Sequence, residues 1–580
     1  MPIFKKGDNL DTNNYRGICI LSCLGKLFTR MLNTRMEAWA ESQHILTDAQ
    51  YGFRKGRGTA DCLFIINGLV DILFSKGQKL YVCFVDYEKA FDYLDRASIF
   101  YKLFAHGFSS KLINIFKSIY SNMRLTVKNS ENSQFFSSRC GLLQGETTSP
   151  FLFSLFVNDL EHNLNSLPGV SVKEAIIKML MFADDMAIFS DTREGLQLGL
   201  DDLKLYCEKW GLKLNTAKTK IIIFRKGGRV NRLDEWNYGG GAIEVVSSFK
   251  YLGCTLAASG SFSLCIQDLV MSSRKALFSL QKTFHKNTEI TPDIKIKLFN
   301  SMVCPILNYG CEVWGLRKAD PIEKFHLSFL KNILHVKKST PTCYVYGELG
   351  VFPLLIDRQV RVLKYWVKLI RNNDISLKVP RIIYNELLAI SNNNENAVNW
   401  ASLVRDLLTQ SGMGIYWYNQ HVGNENAFIS CFKQRVSDMF LQNWNASVAE
   451  STQGRLFTHI KHDFGFENYL YMSNKLYRAS ITKIRLSSHL FNIERGRWGP
   501  IPTIRSERKC TLCNVIEDEF HCLLECPRYE NERLGNVPVY LLKKPSMFKF
   551  IKFLNSKNKG EICKLGKLCT KIQIKQKTFI

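Results

Sequence analysis

The strongest constraint on the fold is an acidic pair set between two apolar runs in residues 176–190. The run IIKMLMFA precedes Asp184-Asp185, and MAIFS follows it. Short apolar runs separated by a polar turn predict two strands of a hairpin, with both carboxylates at or beside its tip. An Asp-Asp pair alone is weak evidence, because Asp201-Asp202 occurs in a stretch with helical spacing.

A further carboxylate ends another strand-like run. Lys79–Asp86 reads KLYVCFVD, a short apolar segment rich in β-branched and aromatic residues, which predicts a buried strand. If this strand neighbours the hairpin, Asp86, Asp184 and Asp185 converge. Carboxylates on rigid elements suit a pair of Mg²⁺ ions ~3.5–4 Å apart, which is the requirement of nucleotidyl transfer. The alternative is that each is a turn or strand-end acid, and the pattern alone leaves both interpretations open.

Helix-like and strand-like patterns alternate up to about residue 256. Helical spacing covers residues 88–106 and 193–211, and Thr219–Phe224 reads as a strand. Such interleaving predicts an α+β core with carboxylates at strand ends. From there to about residue 490 the periodicity is mainly helical.

The charge balance indicates a polyanionic partner. Lys and Arg number 78 against 52 Asp and Glu, a formal net charge of +26, which makes nucleic acid the first partner to consider. A basic membrane-binding surface is the rival, but no apolar run approaches ~18 residues. The start, MPIFKKGDNL, has no apolar signal core, so we expect no secretion. The 18 cysteines lie mostly in apolar surroundings, as Cys23, Cys83 and Cys304 do, and outside one cluster near Cys510 we therefore expect reduced, buried thiols.

Several blocks resemble the motifs of reverse transcriptases, and the non-LTR (LINE-like) retrotransposon branch fits best. Motif A resembles FVDYEKAFD (Phe84–Asp92), motif B resembles GLLQGETTSPFLF (Gly141–Phe153) and motif C resembles FADD (Phe182–Asp185). Motif D resembles GLKLNTAKTK (Gly211–Lys220), and the primer grip resembles FKYLGCTL (Phe249–Leu256). The fingers motifs resemble PIFKKGD (Pro2–Asp8), NYRGICILSCLGKLF (Asn14–Phe28) and QYGFRKGRGTAD (Gln50–Asp61). The resemblance covers about residues 1–256. It implies a right-hand polymerase fold of fingers, palm and thumb.

The resemblance also implies roles for individual residues. Asp86 and Asp184 would hold two Mg²⁺ ions, with Mn²⁺ as an alternative, and Asp185 is the adjacent acid. Lys218 would donate a proton to leaving pyrophosphate or stabilise its charge. Phe91 would lie against the sugar and exclude a 2′-hydroxyl, so we expect a preference for dNTPs; core packing is its alternative role.

Other positions match residues that contact nucleotide or template. The implied nucleotide or template contacts are Lys6, Arg16, Arg54, Gln144 and Gly145. Lys6 and Arg16 would bind the incoming triphosphate, and Gln144-Gly145 would lie against the nascent base pair. One departure is Gly17, where the commonest wording of the motif has proline.

A Cys/His cluster follows the helical region. Cys510-x₂-Cys513-x₇-His521-x₄-Cys526 offers four soft or borderline ligands at a spacing able to close on one tetrahedral Zn²⁺. Chance cysteines are the alternative, with Cys522 as an additional buried thiol. The cluster also resembles the CCHC knuckle of non-LTR elements, which implies binding to RNA or DNA.

These observations predict five regions: fingers and palm in residues 1–256, a helical thumb in 257–350, a helical connector in 351–490, a CCHC zinc knuckle with a basic flank in 491–535, and a Lys-rich tail in 536–580. Beyond about residue 555 we expect a solvated tail.

The predicted function is RNA-directed DNA synthesis, a nucleotidyl transfer from dNTPs to a DNA primer on an RNA template. The chain apparently lacks an N-terminal endonuclease domain, so an endonuclease would act in trans. The expected location is a nuclear or cytoplasmic ribonucleoprotein, with no membrane partner. The alternatives are a truncated, inactive copy that only binds nucleic acid, a group II intron maturase, and a viral RNA-dependent RNA polymerase.

Overall fold

The computed structural model describes the whole chain except residues 6, 122, 129–132, 229–233, 288, 372–374, 499–500 and 580. The chain forms two compact units. The first unit comprises Met1–Cys265, Glu312–Trp314 and Tyr365–Leu407, and the second comprises Ile266–Cys311, Gly315–Lys364 and Leu408–Ile580. None of the helices in the described part of the chain combines the length and apolar character needed to cross a membrane.

The strands of the described residues all lie in the first unit. They are β1 (Pro2–Phe4), β2 (Tyr15–Gly17), β3 (Leu80–Val85), β4 (Arg124–Leu125), β5 (Phe136–Ser137), β6 (Val170–Val172), β7 (Ala175–Ile177), β8 (Met179–Phe182), β9 (Asp185–Ser190), β10 (Lys220–Phe224), β11 (Trp236–Tyr238), β12 (Gly241–Ile243), β13 (Ser248–Tyr251) and β14 (Cys254–Ala257).

The helices occur in both units and dominate the chain after β14. They are α1 (Cys23–Ser42), α2 (Thr59–Ser75), α3 (Arg96–Ala105), α4 (Ser110–Ser121), α5 (Ser149–Phe156), α6 (Leu160–Asn163), α7 (Arg193–Trp210), α8 (Ser263–Lys286), α9 (Pro292–Met302), α10 (Cys304–Leu307), α11 (Cys311–Trp314), α12 (Asp320–Leu334), α13 (Thr342–Leu349), α14 (Leu354–Ile370), α15 (Lys378–Asn393), α16 (Trp400–Gln410), α17 (Gly414–Asn419), α18 (Glu425–Glu450), α19 (Arg455–Ile460), α20 (Lys475–Arg485), α21 (Asn492–Arg495), α22 (Glu530–Arg533), α23 (Val539–Lys543), α24 (Met547–Leu554) and α25 (Lys559–Lys577).

A four-stranded antiparallel sheet forms the centre of the first unit, in the order β10-β3-β9-β8. Every residue of β3 is buried, which explains its unbroken apolar sequence, LYVCFV. The predicted strands of the acidic hairpin, of Lys79–Asp86 and of Thr219–Phe224 are therefore confirmed. The predicted helix at 193–211 is α7.

Helix α2 is buried on almost all sides and packs against α15 within the first unit. Gly68 makes this approach close, because a Cβ there would lie 2.1 Å from Cγ2 of Ile383. The hydroxyl of Tyr365 donates to Oδ1 of the buried Asp61 at 2.9 Å. The first unit thus uses helices from distant parts of the sequence to complete its core.

The helical prediction for residues 88–106 is too long at its start, because α3 begins at Arg96. Asp95 caps this helix, its carboxylate accepting from the backbone N–H of Ser98 at 2.7 Å. The preceding residues form turns, in which Lys89 adopts a φ of +45°.

The buried-thiol prediction holds for Cys83 and Cys304 and is wrong for Cys23, which is exposed.

The second unit is helical, as the periodicity predicted, and encloses a charged residue. Arg485 is fully buried and pairs with the fully buried Glu348, with 2.5 Å between Nε and Oε1. Oε2 of Glu467 lies 3.2 Å from the same guanidinium, which also donates to the carbonyl of Leu554. The two carboxylates hold the pKa of Arg485 above its usual range despite the opposing effect of burial. One side chain therefore connects α13, α20 and α24.

The expectation of a solvated tail beyond about residue 555 is wrong. Helix α25 buries one face against α20, including Ile562, Leu565 and Ile572. A Cβ on Gly566 would lie 2.6 Å from Cβ of Tyr477, so the two helices approach closely. The lysines dominated the sequence pattern and concealed this apolar stripe.

Replacing Glu348 with alanine should strongly destabilise the second unit, because it leaves the buried Arg485 short of its closest carboxylate. We expect the free energy of unfolding to fall by about 3–5 kcal/mol in chemical denaturation. Glu450→Ala removes an exposed carboxylate at the end of α18 and should change it by less than about 0.5 kcal/mol. Equal stability of the two variants would contradict this role for Arg485.

Candidate active site and metal centre

The register of the central sheet brings the acidic residues together. Val85 pairs with Met186 across β3 and β9, and Phe182 pairs with Asp185 across the hairpin. Asp86 directly follows Val85, and Asp185 directly precedes Met186, so both lie at the same end of adjacent strands. Asp184 occupies the hairpin turn between β8 and β9.

The carboxylates influence one another electrostatically. Partial burial raises the pKa of Asp185 to about 6, and the charges of Asp184 and Asp86 add to this rise. Oδ2 of Asp86 is buried and accepts no hydrogen bond from the described residues. Its cationic neighbour is Nζ of Lys218, at 3.4 Å. Three neighbouring carboxylates, with Oδ2 of Asp86 lacking a hydrogen bond, suit the binding of divalent cations.

Two hydrogen bonds join the segment that contains Lys218 to the end of β3. The backbone N–H of Asn215 donates to the carbonyl of Asp86 at 2.8 Å. The N–H of Asp86 donates to Oγ1 of the buried Thr219 at 3.2 Å. These bonds place Lys218 beside Asp86. The sequence motif contains Thr219, but its hydroxyl gave no signal of this positioning role.

A segment before α2 supports the acidic hairpin from its other side. The backbone N–H of Tyr51 donates to the carbonyl of Met181 at 2.8 Å. A Cβ on Gly52 would lie 2.4 Å from the backbone N of Ala183, which has a φ of +58°. Glycine is thus required beside the turn that carries Asp184. Sequence reasoning quoted Gly52 within a fingers motif but assigned it no role.

The predicted nucleotide-facing residues lie in two segments, with Phe91 between β3 and α3 and with Gln144 and Gly145 before α5. The half-buried ring of Phe91 stacks on Phe153, with 4.7 Å between centroids. Nε2 of Gln144 donates to Oδ1 of Asp92 at 2.8 Å. Gly145 is exposed with a φ of +104°, and a Cβ there would lie 2.8 Å from the carbonyl oxygen of Cys19. Phe91 therefore has a packing contact, which both of its proposed roles allow.

Glu146 is a structural residue that sequence reasoning missed. Its buried Oε2 accepts from the backbone N–H groups of Thr148 and Ser149, both at 2.9 Å. Helix α5 begins at Ser149, with Pro150 in its first turn. The acid just before a Ser/Thr-Pro helix start was the available signal.

The fingers positions differ in their surroundings. Lys6 lies outside the described residues. Arg16 is exposed on β2. Arg54 donates from Nε and Nη2 to the carboxylate of Glu41 at 2.7 and 2.9 Å and from Nη1 to the carbonyl of Thr47 at 2.6 Å. Its contact with template or nucleotide stays a prediction, although its guanidinium is largely engaged within the protein.

The Cys/His cluster assembles as its spacing predicted. Ligand atoms of Cys510, Cys513, His521 and Cys526 all lie within 4.8 Å of one another. The sulfur of Cys526 is 3.9 Å from that of Cys510 and 3.8 Å from that of Cys513. Cys522 is a separate, fully buried thiol, as expected.

The chemistry of the cluster fits a soft cation. Burial would raise the pKa of Cys510, but the neighbouring His521 ring and the backbone N–H groups of Leu512 and Cys513 lower it to about 7. Thiolate, the form that binds metal, is thus accessible near neutral pH. Both ring nitrogens of His521 are buried and make no hydrogen bond within the described residues, although Oε2 of Glu525 lies 3.5 Å from Nδ1. This histidine lies in a π-helical turn, His521–Glu525.

An antiparallel sheet with an acidic hairpin beside a strand-end aspartate defines the catalytic core of a nucleotide polymerase. Residues 3–256 match the family described as "Reverse transcriptase (RNA-dependent DNA polymerase)". This part of the chain is therefore a reverse transcriptase domain, of the kind found in non-LTR retrotransposons, which confirms the resemblance of its motifs.

The curated relatives are mobile-element proteins. The chain is 26% identical over 334 residues to "RNA-directed DNA polymerase from mobile element jockey" of Drosophila funebris, covering 56% of this chain and 36% of that protein. It is 27% identical over 386 residues to "Retrovirus-related Pol polyprotein from type-2 retrotransposable element R2DM" of Drosophila melanogaster, covering 62% and 35%. The matches thus span about a third of the length of these relatives.

Among solved structures, a Candida tropicalis telomerase with a fragment of telomeric RNA is 12% identical. That match covers 68% of this chain and 56% of the telomerase chain, with a TM-score of 0.32.

Replacing Gly52 with alanine should displace the acidic hairpin, because the added methyl overlaps the backbone of the turn. We expect a loss of about 1–3 kcal/mol in the free energy of unfolding, measured by chemical denaturation. Gly17→Ala is the matched control, since a Cβ there meets no atom within 4 Å. A stable Gly52→Ala protein with the same unfolding midpoint as Gly17→Ala would contradict the close contact.

Proposed function

We propose that the chain is an RNA-directed DNA polymerase that extends a 3′-hydroxyl primer with dNTPs on an RNA template, as in non-LTR retrotransposition. The register of β3 and β9 carries this proposal, because it places Asp86 beside the acidic hairpin within the matched domain. The endonuclease that would supply a nicked DNA primer in trans belongs to the same proposal.

Asp86, Asp184 and Asp185 are the residues that would hold two Mg²⁺ ions. Bound there, the ions supply activation of the 3′-hydroxyl and neutralisation of the leaving pyrophosphate. The protein's own contribution is rigid placement, since two residues of the loop after α7 fix the backbone on both sides of Asp86. Partial burial, together with the charges of Asp184 and Asp86, raises the pKa of Asp185 to about 6, and bound cations would favour its ionised form.

Lys218 is suited to act at the leaving group. Its ammonium lies 3.4 Å from Oδ2 of Asp86 and is two-thirds exposed, so it can reach a phosphate at the same site. From there it can donate a proton to pyrophosphate or stabilise its charge. Phe91, stacked on Phe153, would meet the 2′ position of a nucleotide sugar and favour dNTPs.

The Cys/His cluster would hold Zn²⁺ as a CCHC knuckle. Three cysteine sulfurs and a histidine with unsatisfied ring nitrogens match the ligand preferences of zinc. The basic flank around the cluster then favours contact with template RNA or target DNA.

The fingers, palm, thumb and connector boundaries remain predictions, as do the nuclear or cytoplasmic location and the individual nucleotide contacts.

Primer extension on an RNA template tests the polymerase site. Asp184→Ala should reduce extension by at least about 10²-fold, because it removes a carboxylate that would hold the ions. Asp201→Ala is the matched control, since this aspartate belongs to the second Asp-Asp pair, is exposed on α7 and accepts a hydrogen bond from Gln197. It should extend normally.

Two other outcomes would count against this function. No extension by the wild-type protein, with RNA binding retained, would indicate an inactive copy that only binds nucleic acid. Efficient incorporation of rNTPs in place of dNTPs would contradict the role of Phe91 and favour an RNA polymerase.

Metal analysis tests the zinc site. The purified wild-type protein should contain stoichiometric zinc, and Cys513→Ser should lose it and melt at a lower temperature, because metal binding contributes to folding of the cluster. Cys431→Ser changes an exposed cysteine outside the cluster and should retain zinc. Absence of zinc from the wild type, with Cys513→Ser unchanged in stability, would contradict the site.

A further inference from the structure

A basic cavity opens in the second unit where α20 begins, close to the end of α12. Its volume is about 700 Å³, which lies within the range of ordinary ligand sites, ~300–1,000 Å³. The residues that line it are Glu289, His335, Ser473, Asn474, Lys475, Leu476, Ala479 and Lys483. A second cavity of about 290 Å³ shares His335 and Lys483 and adds Lys337 and Lys577. We call the two together the α20 cavity.

Positive charge in the α20 cavity is only partly compensated, by Glu289 in its lining and by Glu494 and Glu519 near Lys337 and His489. In the described part of the chain, Lys475 and Lys483 form neither an ion pair nor a hydrogen bond through their side chains. Nζ of Lys337 donates to the carbonyl of His489, a neutral partner. The exposed Glu289 is the one acid that lines the cavity among the described residues. Unneutralised lysines that share a concave surface attract anions.

His335 supplies a buried polar atom to the same cavity. It follows α12 in a left-handed conformation, with a φ of +56°. Its Nε2 is buried and has no hydrogen-bond partner in the described residues. Burial, together with the charges of Lys475 and Lys295, lowers the pKa of its ring to about 4. The ring is therefore neutral at pH 7 and can donate one hydrogen bond.

The lysines in and near the α20 cavity also repel one another. Burial lowers the pKa of Lys483, and the nearby charges of Lys577 and Lys337 contribute to the same shift. Burial also lowers the pKa of Lys295 to about 8, assisted by Arg478 and Lys475. A bound polyanion would relieve this repulsion and satisfy the free donors together.

We propose that the α20 cavity binds phosphate groups of a nucleic-acid strand, at a site separate from the polymerase carboxylates. Two adjoining cavities that share Lys483 and His335 suit consecutive phosphates better than a single small anion. Lys475 and Lys483 would contact phosphate oxygens, and His335 would donate a hydrogen bond to one of them. The identity of the strand as nucleic acid rests on the proposed polymerase function, whereas the anion site rests on the cavity alone.

Lysine acetylation read by mass spectrometry locates the site on the full-length protein. A labelled 20-nucleotide single-stranded RNA should slow acetylation of Lys475 and Lys483 at least about fivefold, while the exposed Lys433 keeps its rate. Unchanged rates at Lys475 and Lys483 would overturn the proposal. Equal protection by inorganic phosphate at the same phosphate concentration would identify a small-anion site and overturn the assignment to a strand.

A charge-removal pair gives an independent readout. The variant Lys475→Gln/Lys483→Gln should lower the salt dependence of RNA binding by about 0.7 in the log–log slope for each lost phosphate contact. The control Lys433→Gln/Lys567→Gln removes two exposed lysines elsewhere in the unit and should keep the wild-type slope. Equal slopes for the two variants would overturn the proposal. Primer extension measured in parallel separates this result from failure of the polymerase site.

Discussion

The active site depends on the antiparallel pairing of one buried strand, β3, with a neighbour on each side. Because β9 fixes Asp86 next to Asp185 and β10 continues from the segment with Lys218, both placements follow from the same ladder of backbone hydrogen bonds. A shift of one residue in either register would turn the side chains of β3 to the opposite face. The complete burial of β3 opposes such a shift, so the packing of the sheet protects the geometry of its end.

Local patterns predicted the elements of this site well. The apolar runs around Asp184-Asp185 and before Asp86 carry their own strand signal, and the spacing of the Cys/His cluster anticipated its assembly. The contact made by Gly52 could not be predicted in the same way, because the turn at Ala183 comes near it only in the folded chain. Glu146 was missed although its partners, Thr148 and Ser149, are close in sequence.

The errors in the predictions from sequence arose where charged residues obscured a weaker apolar pattern. Lysines at the C-terminal end suggested a solvated tail, although Ile562, Leu565 and Ile572 recur at helical spacing and are buried. Similarly, the pairing of Arg485 with Glu348 joins residues far apart in sequence, so the local sequence of neither residue identifies its partner. Periodicity identifies the elements of the helical unit, but not the partners that each element meets.

The position of α25 has a consequence for synthesis of the protein. Helix α20 buries its apolar face against α25, whose last residue, Lys577, follows it by about ninety positions. A nascent chain on the ribosome therefore carries α20 with this face uncovered until the later helix emerges. The second unit can complete its core only after α25 has been synthesised, whereas the central sheet of the first unit has all its strands much earlier.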